Sequence, residues 1–468
     1  MYFITSNSCQ NSVSHRPVRP LRVALLLFGL LGLLAQPGHA QQFNPARLDS
    51  LLSSLTAHDK LTSGSMAITR GGQVMYAKAF GYQQVETKTA ATAATRYRIG
   101  SATKMFTAVM IFQLIEEKKL ALTTSLSRFF PRLPNAKTIT VDQLLSHRSG
   151  LYNYTDDTAW VAGHTTMPRT SAQMLQLIGQ GKPEFAPGTK AAYNNSGFLL
   201  LGYIVEQLTG QSYAQALQRR ILNKAGLLST FYGGKINPGK QEAPSYFISP
   251  TGWRRASETD LSVVGGAGAL ASTPADLNRF LTALFGGRLV SAASLKAMRT
   301  VRDGYGRGLL PRSFGTRPGY GHTGGLDTFV TLSSYFPAEQ LAVTLCSNGQ
   351  NSAPQDAFSG ALSIYFGLPY RLPTFRGSGF VPAPAELARY VGTYASAQMP
   401  GLKITMTRSG TTLQTEATGQ APATLEPVSA GVFKFDQVGN DLRIEFDPAQ
   451  PSFLLKQGGG SFLFTKEK

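Results

Sequence analysis

The eight residues after Lys104, Met-Phe-Thr-Ala-Val-Met-Ile-Phe, leave almost no polar face for water. Any helix they form must therefore sit inside a domain, with other elements packed around it. Apolar residues continue at helical spacing through Phe106, Val109, Met110, Leu114 and Ile115, and the run ends in the charged stretch Glu116-Glu-Lys-Lys119. This pattern predicts a buried helix over 104–120. Enclosing such a helix takes a long chain with a sizeable core, and 468 residues at 42% hydrophobic and 15% charged content supply one, with room for two domains.

The lysine at the head of this helix loses hydration among apolar side chains, which disfavours its charged form and lowers its pKa from the ordinary value of about 10.4. Ser101 lies three residues earlier, where a strand-like segment (Arg98-Ile-Gly) meets the helix. Residues three apart share a helix face, so the Lys104 amine can reach the Ser101 hydroxyl. Free serine needs such a base to act as a nucleophile, and its own N–H with the positive helix end would face a developing oxyanion. The pair on its own fits a capped helix with a solvated charge as well as it fits a nucleophile and base. It is the only Ser-x-x-Lys in the chain.

Around this segment, residues 41–367 alternate helical and strand-like patterns without a regular βαβ repeat, which predicts an α/β or α+β domain with an antiparallel sheet. Helices are expected over 196–208 and 274–284, the second with Ser272 or Thr273 as cap and Pro274 in its first turn. Gln73 to Tyr82 reads as a strand leaving the Gly71-Gly72 turn. The runs 328–336 and 340–347, joined by Pro337-Ala-Glu, read as an antiparallel hairpin. Residues 368–385 are rich in Pro and Gly and read as a linker. Beyond it, short alternating runs at 390–394, 402–407, 412–415, 432–435, 442–446 and 461–464 read as a small all-β module over 386–468, with turns at Ser409-Gly410, Gly439-Asn440 and Gly458–Gly460.

The first 40 residues have the layout of a secretory signal. Arg16, Arg19 and Arg22 precede the apolar run Val23–Ala35, and Gly38-His-Ala40 offers a small-x-small exit. The run is short for a bilayer span of about 20 residues, so the expectation is cleavage after Ala40, no membrane span afterwards, and a periplasmic or secreted protein. The alternative is a retained anchor. Cys9 would leave with the signal, and Cys346, alone in a strand-like run, is expected to be a small core residue. The net charge of +19 would fall by the three arginines to +16 (19 − 3). No block of five or more Lys or Arg accompanies it, which argues against a nucleic-acid partner.

Other chemistries lack their signatures: there is no Gly-x-Ser-x-Gly, His-Glu-x-x-His, Cys-x-x-Cys or phosphate-binding glycine loop, and His58, His147, His164 and His322 are not at metal-ligand spacing. In contrast, Ser101-x-x-Lys104, Tyr193-Asn-Asn195 and His322-Thr-Gly-Gly325 follow one another in the order of the three motifs of penicillin-recognising serine hydrolases. Their form is similar to the branch holding class C β-lactamases, DD-carboxypeptidases and esterases. Leu144–Leu151, Phe185–Gly188 and Gly265–Asp276 extend the resemblance over nearly all of residues 50–365, and the C-terminal module is similar to the lipocalin-like β-barrels that follow some of these hydrolases.

The resemblance implies a mixed α/β domain, an antiparallel sheet flanked by helices, and catalysis without metal or cofactor. It implies Ser101 as nucleophile, Lys104 and Tyr193 as proton carriers with the phenol acidified by the lysine charge, and Asn195, His322, Thr323, Gly324 and Gly325 at the substrate. Asn195 would hold a substrate amide or the Lys104 ammonium, and would also cap the helix that follows it. The Gly325 N–H would be a second oxyanion donor, and a protonated His322 would bind a substrate carboxylate. Asp327 would repel such substrates. Expected substrates are small peptides, amides or esters, including D-alanyl cell-wall peptides, D-amino-acid amides and simple esters. A class C-like β-lactamase is the alternative within this chemistry, and a non-catalytic wall-binding protein the alternative outside it.

Overall fold

The computed structural model describes residues 43–57, 63–249, 252–349, 354–370, 380–418, 422–437, 440–457 and 460–467. His58, most of the segment read as a linker, the turn glycines Gly439, Gly458 and Gly459, and residues 1–42, which hold the segment read as a signal, lie outside the described residues.

A seven-stranded antiparallel sheet organises the N-terminal part of the described residues. Its strands are β1 (Ser63–Arg70), β2 (Gln73–Gln84), β3 (Thr89–Ala90), β4 (Leu310–Pro311), β5 (Tyr320–Leu326), β6 (Phe329–Phe336) and β7 (Leu341–Ser347), in the order β3-β2-β1-β7-β6-β5-β4. The hairpin read from 328–347 is present as β6 and β7, paired from Val330↔Ser347 to Phe336↔Leu341. Period-two alternation divides the strands between two apolar clusters. Leu341, Val343 and Leu345 of β7 meet Met66 and Ile68 of β1 under helices α1 (Pro45–Ala57) and α6 (Pro354–Tyr365). Ala342 and Cys346 face the opposite side and the larger cluster, and Cys346 is a buried core thiol, as its strand context predicts.

Helix α2 (Thr103–Glu116) passes through that larger cluster, and every residue from Thr103 to Leu114 is buried. Helices α3 (Asn195–Thr209), α4 (Leu261–Gly268) and α5 (Pro274–Phe285) also contribute to it. Thr273 caps α5, and its hydroxyl accepts from the Asp276 N–H. The buried Asn278 amide then donates to the Ala67 and Ala342 carbonyls, fastening α5 to β1 and β7.

The C-terminal module is a nine-stranded antiparallel sheet. Its strands are β8 (Gly392–Ala395), β9 (Lys403–Ser409), β10 (Thr412–Ala417), β11 (Ala423–Thr424), β12 (Glu426–Ser429), β13 (Val432–Gln437), β14 (Asn440–Phe446), β15 (Ser452–Gln457) and β16 (Gly460–Lys466), in the order β11-β10-β9-β8-β16-β15-β14-β13-β12. Leu425 joins the two end strands, and its N–H donates to Leu413 O, so the sheet closes nearly into a barrel. Alternate residues such as Ile404 and Met406, or Phe453 and Leu455, fill the interior. The helix α7 (Pro384–Tyr390) begins within the segment read as linker, and Tyr390, read as the start of a strand, ends this helix with its ring stacked 4.0 Å from Phe446. Strands β12 and β15 carry no alternation clear enough to single them out in the sequence.

Candidate active site

Ser101 occupies a 3-10 turn (Gly100–Ala102) between the short strand Tyr97–Arg98 and α2, so it precedes the helix instead of lying in its first turn. Neither that turn nor α2 has a side-chain cap, which removes capping as the role of Ser101. Gly100 takes φ +48, and a Cβ there would lie 2.6 Å from Gly325 O; a Cβ on Gly324 would lie 1.9 Å from Ile99 O. These glycines let β5 run backbone against backbone along the nucleophile turn. Gly325 is exposed and Thr323 and Ser101 are half-buried at this edge.

The Lys104 amine is wholly buried and has three oxygen neighbours: Ser101 Oγ at 3.0 Å, Asn195 Oδ1 at 2.7 Å and the Ala267 carbonyl at 2.9 Å. Burial drives its pKa well below the ordinary lysine value. A neutral amine has two N–H donors and one lone pair. The two carbonyl oxygens can only accept, so they take both donors, and the lone pair is left for the Ser101 hydroxyl.

Tyr193 hydrogen-bonds to Ser101, as the resemblance requires, but its pKa goes the other way. Burial raises it, and the Ser101 bond offsets only part of the rise. Burial thus keeps the phenol protonated instead of acidified, and the lysine nitrogen stands over the ring face, 4.8 Å from the centroid. Asn195 reaches Lys104 as expected, but the cap of α3 is Asn194, whose Oδ1 accepts from Gly197 N at 2.8 Å. That accounts for an asparagine at the middle position of the second motif.

His322 departs from its expected role. Its ring is buried, its pKa falls to about 3, and burial is the main cause, with the Lys104 and Arg312 charges acting in the same direction. Nδ1 lies 2.5 Å from the Thr323 carbonyl and therefore carries the proton. A neutral imidazole cannot act as the expected cationic partner of a carboxylate. Asp327 does not confront substrate either: it is buried between Arg98, 3.4 Å away, and the Thr259 N–H and hydroxyl, and Arg98 also pairs with Glu258 at 2.6 Å.

The His322 shift has a stability consequence. An imidazole held neutral down to about pH 3 favours the folded state fully above its ordinary value of 6.5, and that contribution drains away as pH falls from 6.5 towards 3. The ceiling is on the order of 5 kcal/mol. His322→Gln is expected to flatten the fall in melting temperature between pH 6.5 and 4 relative to the parent. The slope that remains comes partly from His147, which is shifted in the same direction.

His147 is a site residue that the sequence pattern did not single out. It adopts φ +58 and accepts the Asn194 N–H on Nδ1 at 3.0 Å. Its ring lies against Tyr193 with centroids 4.5 Å apart. The signal available was its place in Leu144–Leu151, one of the segments that carry the resemblance. Among the described residues, no cluster of three or more His, Cys, Asp or Glu is placed to hold a metal.

Residues 48–363 match the Beta-lactamase family. The chain belongs to that family. Its relatives include PbpX of Bacillus subtilis, described as a candidate penicillin-binding protein, at 30% identity over 296 residues that cover 62% of this chain and 72% of the relative. The teichoic acid D-alanine hydrolase of Staphylococcus aureus is 29% identical over 236 residues, half of this chain and 56% of that one. Among solved structures, the D-amino acid amidase of Ochrobactrum anthropi SV3 superposes with TM-score 0.60 at 25% identity, covering 69% of this chain and 96% of its own. An octameric penicillin-binding protein homologue of Pyrococcus abyssi (TM-score 0.64, 23% identity, 90% and 100% covered) shows the shared fold. This β-lactamase-family chain is a serine hydrolase of the β-lactamase and penicillin-binding superfamily.

Proposed function

We propose that this chain hydrolyses D-aminoacyl amides or esters through an acyl-enzyme on Ser101, outside the cytoplasm. The carrying observation is the buried amine of Lys104, 3.0 Å from Ser101 Oγ and within hydrogen-bond reach of two carbonyl oxygens. Once neutral, it commits both donors to those carbonyls and leaves its lone pair for the serine hydroxyl. Ser101 Oγ attacks the carbonyl as its proton passes to Lys104 Nζ. The N–H groups of Ser101 and Gly325 receive the oxyanion. When the tetrahedral adduct collapses, the bond to the leaving amine or alcohol breaks and the Tyr193 hydroxyl supplies its proton, which the Lys104 ammonium replaces. Water then releases the acid by the reverse relay.

Amides and esters are preferred over carboxylate-ended peptides and β-lactams because His322 is held neutral and Arg98 is committed to Asp327 and Glu258, so neither offers a positive charge to a substrate carboxylate. The D-amino acid amidase and the teichoic acid D-alanine hydrolase among the relatives support this choice. Export rests on the signal-like first 40 residues.

Intact-mass and turnover assays on matched D-alanyl substrates test the reading. The amide and methyl ester are expected to turn over at least tenfold faster, in kcat/KM, than D-Ala-D-Ala peptides with a free carboxylate, the consequence of an unpaired charge at the site. Equal or faster cleavage of the carboxylate-ended peptide would refute the substrate class. No turnover of any of them would refute the hydrolase chemistry.

A further inference from the structure

Asn195 meets Lys104 through its amide oxygen, and the opposite end of that amide is held by a chain of hydrogen bonds that no motif contains. Asn195 Nδ2 donates to Thr155 Oγ1 at 2.8 Å, and Thr155 Oγ1 donates to Asn153 Oδ1 at 3.1 Å. Asn153 Oδ1 also accepts the Asn195 backbone N–H at 2.9 Å, and Asn153 Nδ2 donates to Asp156 Oδ1 at 2.8 Å. Each direction in this chain is forced. The Asp156 carboxylate only accepts and the Asn195 N–H only donates, so between them they pin which end of the Asn153 amide is which. The Asn153 oxygen then takes the Thr155 proton, and the Thr155 lone pair takes an Asn195 N–H. The Asn195 oxygen is thereby left facing Lys104.

The orientation matters to Lys104. A flipped Asn195 would donate its NH2 to Nζ and occupy the lone pair that Ser101 needs, turning the amine into a donor to the serine. Such a state is folded and well hydrogen-bonded, yet its lysine is not a base. We propose that Thr155, aligned by Asn153 and Asp156, is a positioning residue that excludes this inactive state by fixing which end of the Asn195 amide meets Lys104. The inference rests on Lys104 being the base of the proposed reaction. It also gives the Asn195 amide two protein partners, Lys104 on its oxygen and Thr155 on one N–H, which leaves its second N–H for a substrate carbonyl.

The test is the pH dependence of acylation, by stopped-flow burst with a chromogenic D-alanyl ester, in Thr155→Val and Thr155→Ser. The groups facing Lys104 are Tyr193, His147 and His322; burial keeps the first protonated and both imidazoles neutral, so Lys104 alone sets the acid limb. Thr155→Val is expected to lower the plateau rate about tenfold with KM within about twofold, the size of one lost orienting hydrogen bond. Its acid limb is expected to move to lower pH, because an N–H on the lone pair favours the neutral amine. Thr155→Ser keeps the hydroxyl and is expected to restore both rate and limb. The inference is overturned by an unchanged plateau in Thr155→Val, by serine rescuing nothing, or by an acid limb moving to higher pH, which is what simple loosening and water entry would produce. If Thr155→Val does not fold, Thr155→Ala removes the same hydroxyl and is read by the same criteria. Lys104→Met in the same assay separates the two levels: full activity there sinks the catalytic reading, whereas the Thr155 results bear only on the relay.

Discussion

Ser101→Ala is expected to abolish the burst with a chromogenic ester and to lower steady-state turnover by roughly a millionfold, the scale seen when the nucleophile of a serine hydrolase is removed. The magnitude is large because Lys104 and Tyr193 both act through the Ser101 hydroxyl and lose their object together, leaving only the oxyanion donors and binding. The protein itself is expected to keep its fold. Ser101 caps neither its own turn nor α2, so its hydroxyl can be lost without freeing a helix end. Intact mass after quenching should show an adduct of substrate acyl mass in the parent and none in the variant. An adduct that persists in Ser101→Ala would place the nucleophile elsewhere.

The second large effect is at Lys104. Lys104→Met keeps the length and apolar stem of the side chain in a site that is fully buried, so stability is expected to hold or rise, because the cost of burying an amine disappears. Acylation is expected to fall by roughly a thousandfold, within the range for loss of a general base. KM should change little, since Nζ contacts Ser101, Asn195 and Ala267 and not the substrate. A parallel gain in stability and loss of rate would mark Lys104 as a residue kept for chemistry at the expense of the core. A variant that unfolds but whose surviving fraction retains the parent rate would assign it a structural role.

Much of this was legible in the sequence, for identifiable reasons. The all-round apolar segment after Lys104 announced a buried helix, and α2 is buried from Thr103 to Leu114. Alternation exposed the β6–β7 hairpin and most of the barrel, because one face of each strand is filled with large apolar residues. Spacing brought Ser101 to Lys104, and the three motifs brought Tyr193, Asn195 and the His322–Gly325 strand to the same place. What was hidden depends on surroundings rather than residue type. A histidine in a motif is expected to gain and lose its charge near neutral pH until its burial and its bond to Thr323 O are known. A tyrosine near a lysine looks acidified until its burial is known. Asp327 looks like a free charge until Arg98 is placed against it. The Ala267 carbonyl and the Thr155 hydroxyl carry no sequence signal, since a backbone oxygen and a lone threonine are common to every segment.

The central claim is that Lys104 is a neutral base at working pH. Its most direct test is the rate of acylation of the parent by an uncharged ester between pH 4 and 11, measured in the pre-steady state so that deacylation does not intrude. A base whose pKa burial holds well below 10.5 predicts a single acid limb lying well under the lysine range, a plateau through neutral pH, and loss of that limb in Lys104→Met. A rate that keeps climbing to pH 10 or beyond would show that the amine is charged at neutral pH and would contradict the account.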